Sequence, residues 1–76
     1  MHRTIGQNLR STREARGLSL LDAAHLTRIP VNRLQQLEED NFAGFGSMAY
    51  AKSFLKIYSR FLNVDAREVA DGLPVP

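Results

Sequence analysis

The sequence predicts an all-α fold, a compact five-helix domain built around a repressor-like helix-turn-helix. Three observations carry this expectation. Apolar residues recur at helical spacing, with no convincing strand pattern anywhere in the chain. Helix-start and helix-stop residues punctuate that pattern, with Thr4, Ser19 and Asp65 as starts and Gly17, Asn63 and Gly72 as stops. With 76 residues and no cysteine, one small core must supply the stability, and short helices joined by tight links do so economically.

Each element follows from local chemistry. "TIGQ" has the form of a capping box in which Gln7 reaches back to the Thr4 amide. Ile5 and Leu9 then share one face of the first helix, and Arg10, Arg13, Glu14 and Arg16 are assigned to the others. "SLLD" opens a second helix whose inner side carries Leu20, Ala23, Ala24 and Thr27, with the small Ala24 allowing a close approach to the third helix. Ile29 is held extended before Pro30, which suits a helix start. The third helix is expected to run to about Glu39, with Leu34 and Leu37 pointing inward. "EDNFAGFGS" breaks the helical period, and Phe42 and Phe45 are expected to plug that loop into the core. A fourth helix spans about Met48 to Leu62, and a short fifth begins at Asp65 and stops at Gly72. Residues 1–71 are thus read as the domain and 72–76, within "DGLPVP", as the start of a linker.

Composition narrows the function. The net charge of +2 is too small to argue for a nucleic-acid partner, but its distribution is uneven. Residues 1–33 carry a net +4, 34–49 a net −3, 50–60 a net +3 and 61–76 a net −2, so two basic segments flank an acidic one. No apolar run approaches the roughly 18 residues of a membrane span. The N-terminus lacks the apolar region of a signal peptide, so the cytoplasm is the expected compartment. The domain is expected to be monomeric.

Catalysis finds no foothold. His2 and His25 have no Cys, Asp or second His at ligand spacing, so no metal or cofactor is expected. "GFGS" lacks the Lys-Ser/Thr of a phosphate loop, and the serines serve as caps or surface residues without an activating base. If the third helix read DNA, Arg28, Asn32, Arg33 and Gln36 would be its reading set, because Asn and Gln suit adenine and Arg suits guanine. The acidic Glu38, Glu39 and Asp40 oppose that reading, as does Leu20 at a position where DNA-binding versions of the motif place a phosphate-contacting Gln.

The segment "YAKSFLKIYSRF" holds four of the six aromatics. Wound as a helix, its apolar sector is roughly 160° wide, against the ~100° that docking on a core requires. Leu55, Tyr58 and Leu62 are expected to face inward, leaving Tyr50, Phe54 or Ile57 partly exposed. Lys52, Lys56 and Ser59 are placed on the opposite, solvent face. Exposed aromatics near Lys and Arg have the composition of a protein-binding hot spot.

"IGQNLRSTREARGLSLLDAAHLTRI", "LQQLEEDNF" and "YAKSFLKIYSRFLNVD" together resemble the cytoplasmic N-terminal domain of the RodZ family of bacterial cell-shape proteins, from about Ile5 to Val69. The resemblance implies an adaptor that binds the actin-like MreB filament and is fastened to the inner membrane by a segment outside this chain. It implies that Tyr50 and Phe54 make the main contact, with Lys52, Lys56 and Arg33 as basic helpers. Ser53 stands where that family usually has Gly, Gly46 where Pro is common, and Asn63 where Gly is common. Leu21 and Leu26 replace residues that are usually charged.

Overall fold

The computed structural model describes residues 4–64. Four helices, α1 (Ile5–Ala15), α2 (Leu20–Thr27), α3 (Val31–Glu38) and α4 (Met48–Leu62), are joined by short links, with one 3₁₀ turn at Ala43–Phe45. There is no strand among the described residues. The fifth helix expected from Asp65, and with it the 71/72 boundary, lies outside them.

The caps form as their residues dictate. Thr4 Oγ1 accepts from the Gln7 amide while Gln7 Oε1 accepts from the Thr4 amide, and Ser19 and Asp22 repeat the exchange at α2. Gly17, at φ 71°, carries the chain out of α1, with its own amide on the Glu14 carbonyl and the Leu18 amide on the Arg13 carbonyl. Arg28 and Asn63 close α2 and α4 in the same left-handed conformation without being glycine. Pro30 caps α3 from just outside rather than occupying its first turn.

α1 and α2 each pack against both α3 and α4. The core between them holds Leu9, Ala23, Ile29, Leu34, Leu37, Phe45, Ala51, Leu55, Tyr58 and Leu62. Phe45 does enter it, and Phe42 packs against its margin. Ala23, and not Ala24, is the small residue of α2 that is wholly enclosed. Each fully buried leucine contributes about 1.5–3 kcal/mol.

Two residues assigned to the surface are interior. Arg13 is 7% exposed and pairs with Glu38, itself 8% exposed. Nε donates to Glu38 Oε2 at 2.7 Å, Nη2 to Oε1 at 3.0 Å, and Nη1 to the Leu18 carbonyl at 2.8 Å. The Tyr58 hydroxyl completes the group, donating to Oε2 at 2.6 Å. The cause is geometric: Arg13 follows Leu9 by one helical turn and shares its face, as Glu38 shares the face of Leu34. Ser59 is the second correction. It is fully buried beside Leu55 and Leu62, its Oγ donating to the Lys56 carbonyl, because the core takes α4 from Tyr58 round to Ser59.

Gly6 lets the start of α1 rest on the end of α3. A Cβ there would fall 2.7 Å from the Leu37 carbonyl oxygen and closer still to that of Glu38. Asp40, whose φ of 59° turns the chain, accepts from the Gly6 amide through Oδ1 at 2.8 Å. The positive end of the α1 dipole therefore meets the negative end of α3 and a carboxylate together. At the other end of α1, Arg16 donates to the Phe61 and Leu62 carbonyls at 3.2 and 2.9 Å, capping α4 with a cation.

Gly6→Ala should cost about 1–3 kcal/mol through backbone overpacking, read as a lower urea midpoint at unchanged slope. Tyr58→Phe should cost about 1.5–3 kcal/mol, the value of a hydrogen bond to a charged group. Burial and the Glu38 carboxylate raise the Tyr58 phenol above its ordinary value. A raised folded pKa means that stability is complete below pH about 10 and declines as pH rises above it. Urea midpoints from pH 8 to 11.5 should show that decline in the wild type and a shallower one in Tyr58→Phe.

Candidate protein-binding surface

The surface forms where the 3₁₀ turn passes into α4. Gly46, at φ 84°, reverses the chain, and Ser47 caps α4 by accepting from the Tyr50 amide at 3.1 Å. These two residues fix the direction in which the first turn of α4 presents its side chains. Phe45 stays in the core and meets Tyr50 edge-on, with ring centroids 6.1 Å apart. Phe54 lies 5.9 Å from Phe45 and 4.9 Å from Tyr50, closing a three-ring cluster. Tyr50 is nevertheless 46% exposed, while Phe54 is half-buried.

Arg33 joins this cluster from α3. Its guanidinium lies 5.1 Å from the centre of the Phe45 ring and 5.5 Å from that of Tyr50. Nη1 donates to Gln36 Oε1 at 3.0 Å and to the Gly44 carbonyl at 3.1 Å. One cation thus ties α3, the turn and α4 together, and its ring contacts are each worth about 0.5–2 kcal/mol. A half-exposed tyrosine held by two rings and an arginine loses little freedom when something docks on it.

Of the residues expected to hold a protein partner, the structure brings Tyr50, Phe54 and Arg33 into contact. Lys52 and Lys56 are exposed, but each stands two positions from Phe54 and hence roughly 200° round the helix. The residues expected to read DNA are differently placed. Arg28 ends α2, Asn32 opens to solvent, and Arg33 and Gln36 hydrogen-bond to each other. Gln36 also packs beside Gly44, so this pair closes the loop onto α3. Phe45 was assigned to the core alone, yet it is the ring on which the exposed edge is built. No local spacing announces that role, because Phe45 meets Arg33 from another element.

Asp22 has a structural role. Asp22 is held below the usual carboxylate range by the Ser19 backbone amide and hydroxyl that it caps. His25 is exposed beside Arg28 and Pro30 in a shallow depression. No group of three or more His, Cys, Asp and Glu stands close enough to hold a metal ion among the described residues. No helix among them is long and apolar enough to cross a membrane.

Comparison with known proteins accords with this architecture. A family model described as a helix-turn-helix domain matches residues 8–69. The chain is 38% identical over 70 residues to the cytoskeleton protein RodZ of Streptococcus pneumoniae, a match covering 92% of this chain and 25% of that protein. The chain thus spans about a quarter of the length of the curated relative it matches. No solved structure matches it. With α2 and α3 joined through Arg28–Pro30 and packed on α1 and α4, and with a match over nearly its whole length, the chain belongs to this helix-turn-helix family and is a RodZ-family domain.

Proposed function

We propose that this domain is the cytoplasmic adaptor module of a RodZ-like cell-shape protein. It binds an actin-like filament protein of the MreB kind through the Tyr50–Phe54 edge of α4. A segment outside this chain then links the filament to the inner membrane. The observation that carries the reading is Tyr50, 46% exposed yet held by Phe45, Phe54 and Arg33. A large ring kept rigid at the surface is what an interface anchor requires. The similar pneumococcal protein is named for the cytoskeleton, which gives the anchor a partner class.

The charges fit the same role. Lys52 and Lys56, on the far side of α4, raise the positive potential around the domain and steer an acidic partner without touching it. Arg33 acts at the site itself, by fixing Tyr50. The domain works by binding and carries no catalytic step.

Tyr50→Ala and Phe54→Ala should each weaken binding to purified MreB by about 2 kcal/mol or more, near 30-fold, in isothermal titration with helical content unchanged. Lys52→Ala should slow association mainly at low salt. A folded Tyr50→Ala/Phe54→Ala double variant that binds as the wild type does would refute the reading. Duplex-DNA binding that falls steeply with salt and depends on Arg33 would replace it with a sequence-specific DNA-binding transcriptional regulator that reads the major groove through α3.

A further inference from the structure

α4 leaves more than Tyr50 uncovered. Phe54, Ile57 and Phe61 follow Tyr50 at intervals of four, three and four residues. That spacing places all four on one stripe of the helix, roughly 16 Å long. Ile57 is 48% exposed, and Phe61 is half-buried. At its far end the stripe meets α2 in an open groove lined by Leu26, Thr27, Ile57, Arg60 and Phe61. Leu26 is 59% exposed, and the Thr27 hydroxyl is turned back onto the Ala23 carbonyl. The groove therefore offers apolar carbon edged by one cation. A lone exposed leucine is ordinary, but an exposed stripe continuous with a second helix is the form of a docking surface.

Charge selects the occupant. α4 contains Lys52, Lys56 and Arg60 and no acidic residue. Arg33 stands at the Tyr50 end of the stripe and Arg60 at the Ile57 end. Asp22, one turn before Leu26, is engaged at the α2 cap. Two copies pairing through this stripe would set Arg33 and Arg60 of one copy against those of the other, which is unfavourable.

We infer that the surface taken by the filament protein continues past Phe54, through Ile57 and Phe61 onto Leu26. There it receives an apolar face of the same partner, edged by acidic residues that meet Arg60. This extends the reading in which Tyr50 and Phe54 bind that partner, and rests on it. Tyr50 and Phe54 then anchor one end of a longer footprint, and Arg60 sets the register at the other.

The test titrates purified MreB with four forms of the domain: wild type, Tyr50→Ala, Leu26→Ser/Ile57→Ser and Arg60→Glu. Both serine sites are exposed, so the fold should persist, as circular dichroism will show; Ile57→Lys alone substitutes if the double variant melts. The Leu26→Ser/Ile57→Ser protein should bind about tenfold or more weakly. Arg60→Glu should lose about fivefold or more at low salt, with the loss shrinking as salt rises. If the serine variant binds within about twofold of wild type while Tyr50→Ala is impaired, the footprint ends at Phe54 and this extension alone fails. If Tyr50→Ala binds as well as wild type, or wild type does not bind, the filament reading itself fails and the extension with it. Unchanged or tighter binding by Arg60→Glu overturns the acidic margin. A wild-type dimer in sedimentation equilibrium, or capture on phosphatidylglycerol vesicles, overturns the inference if the serine variant abolishes it.

Discussion

The fold depends on one buried carboxylate. Glu38 ends α3, where the helix dipole disfavours negative charge, and it is largely buried. It is tolerable there only because Arg13 of α1 and Tyr58 of α4 reach it with three hydrogen bonds. The pair raises the already high pKa of the guanidinium, so its charge is permanent. Removing one member of such a pair costs about 3–5 kcal/mol, because the other is left buried and uncompensated. The three side chains come from three helices: α1 or α3 cannot leave the bundle without stranding a charge, and α4 cannot leave without taking a hydrogen bond from one. That couples the helices more tightly than their apolar contacts alone would. No buried side-chain nitrogen or oxygen among the described residues lacks a partner.

The second constraint is the meeting of α1 with the end of α3. "EED" places three carboxylates in a row, and each has a separate task. Glu38 holds Arg13, Glu39 accepts from Gln35 at the surface, and Asp40 caps the incoming α1. Gly6 is the residue that makes the approach possible. The run that argued against DNA reading is therefore part of the frame. It holds α3 in place, and α3 in turn holds Arg33 against the exposed rings.

Much of the architecture is legible in the sequence because caps and glycines act locally. Thr4 with Gln7, Ser19 with Asp22, Gly17 and Asn63 mark their helix ends within a few residues. The split character of α4 is also legible, since its apolar sector is wider than one docking face needs. Arg13, expected at the surface, is interior for a definite reason. Its spacing from Leu9 puts it on a core face, as the spacing of Glu38 from Leu34 does, and register prevails over charge at both positions. Two opposite charges on inward faces of different helices are the signal that pairs them. Ser59 follows Leu55 by four positions, so the same register carries its small hydroxyl into the core. Arg33 over Phe45 and Tyr50 is another matter, because contacts between separate elements have no period to reveal them.

The division of α4 between core and surface has a consequence for how the segment can vary in length. Leu55, Tyr58 and Leu62 face inward, while Phe54, Ile57 and Phe61 stand one position before each of them. Inserting or deleting a single residue near Ser53 would turn everything beyond it by about 100°. That one step would drive the outer stripe towards the centre and push Tyr58 away from Glu38, removing the exposed stripe and the fold together. Four added residues would rotate the helix by only about 40° and nearly restore both faces. Descendants of this chain can therefore exchange side chains along α4 far more freely than they can change the number of residues in it.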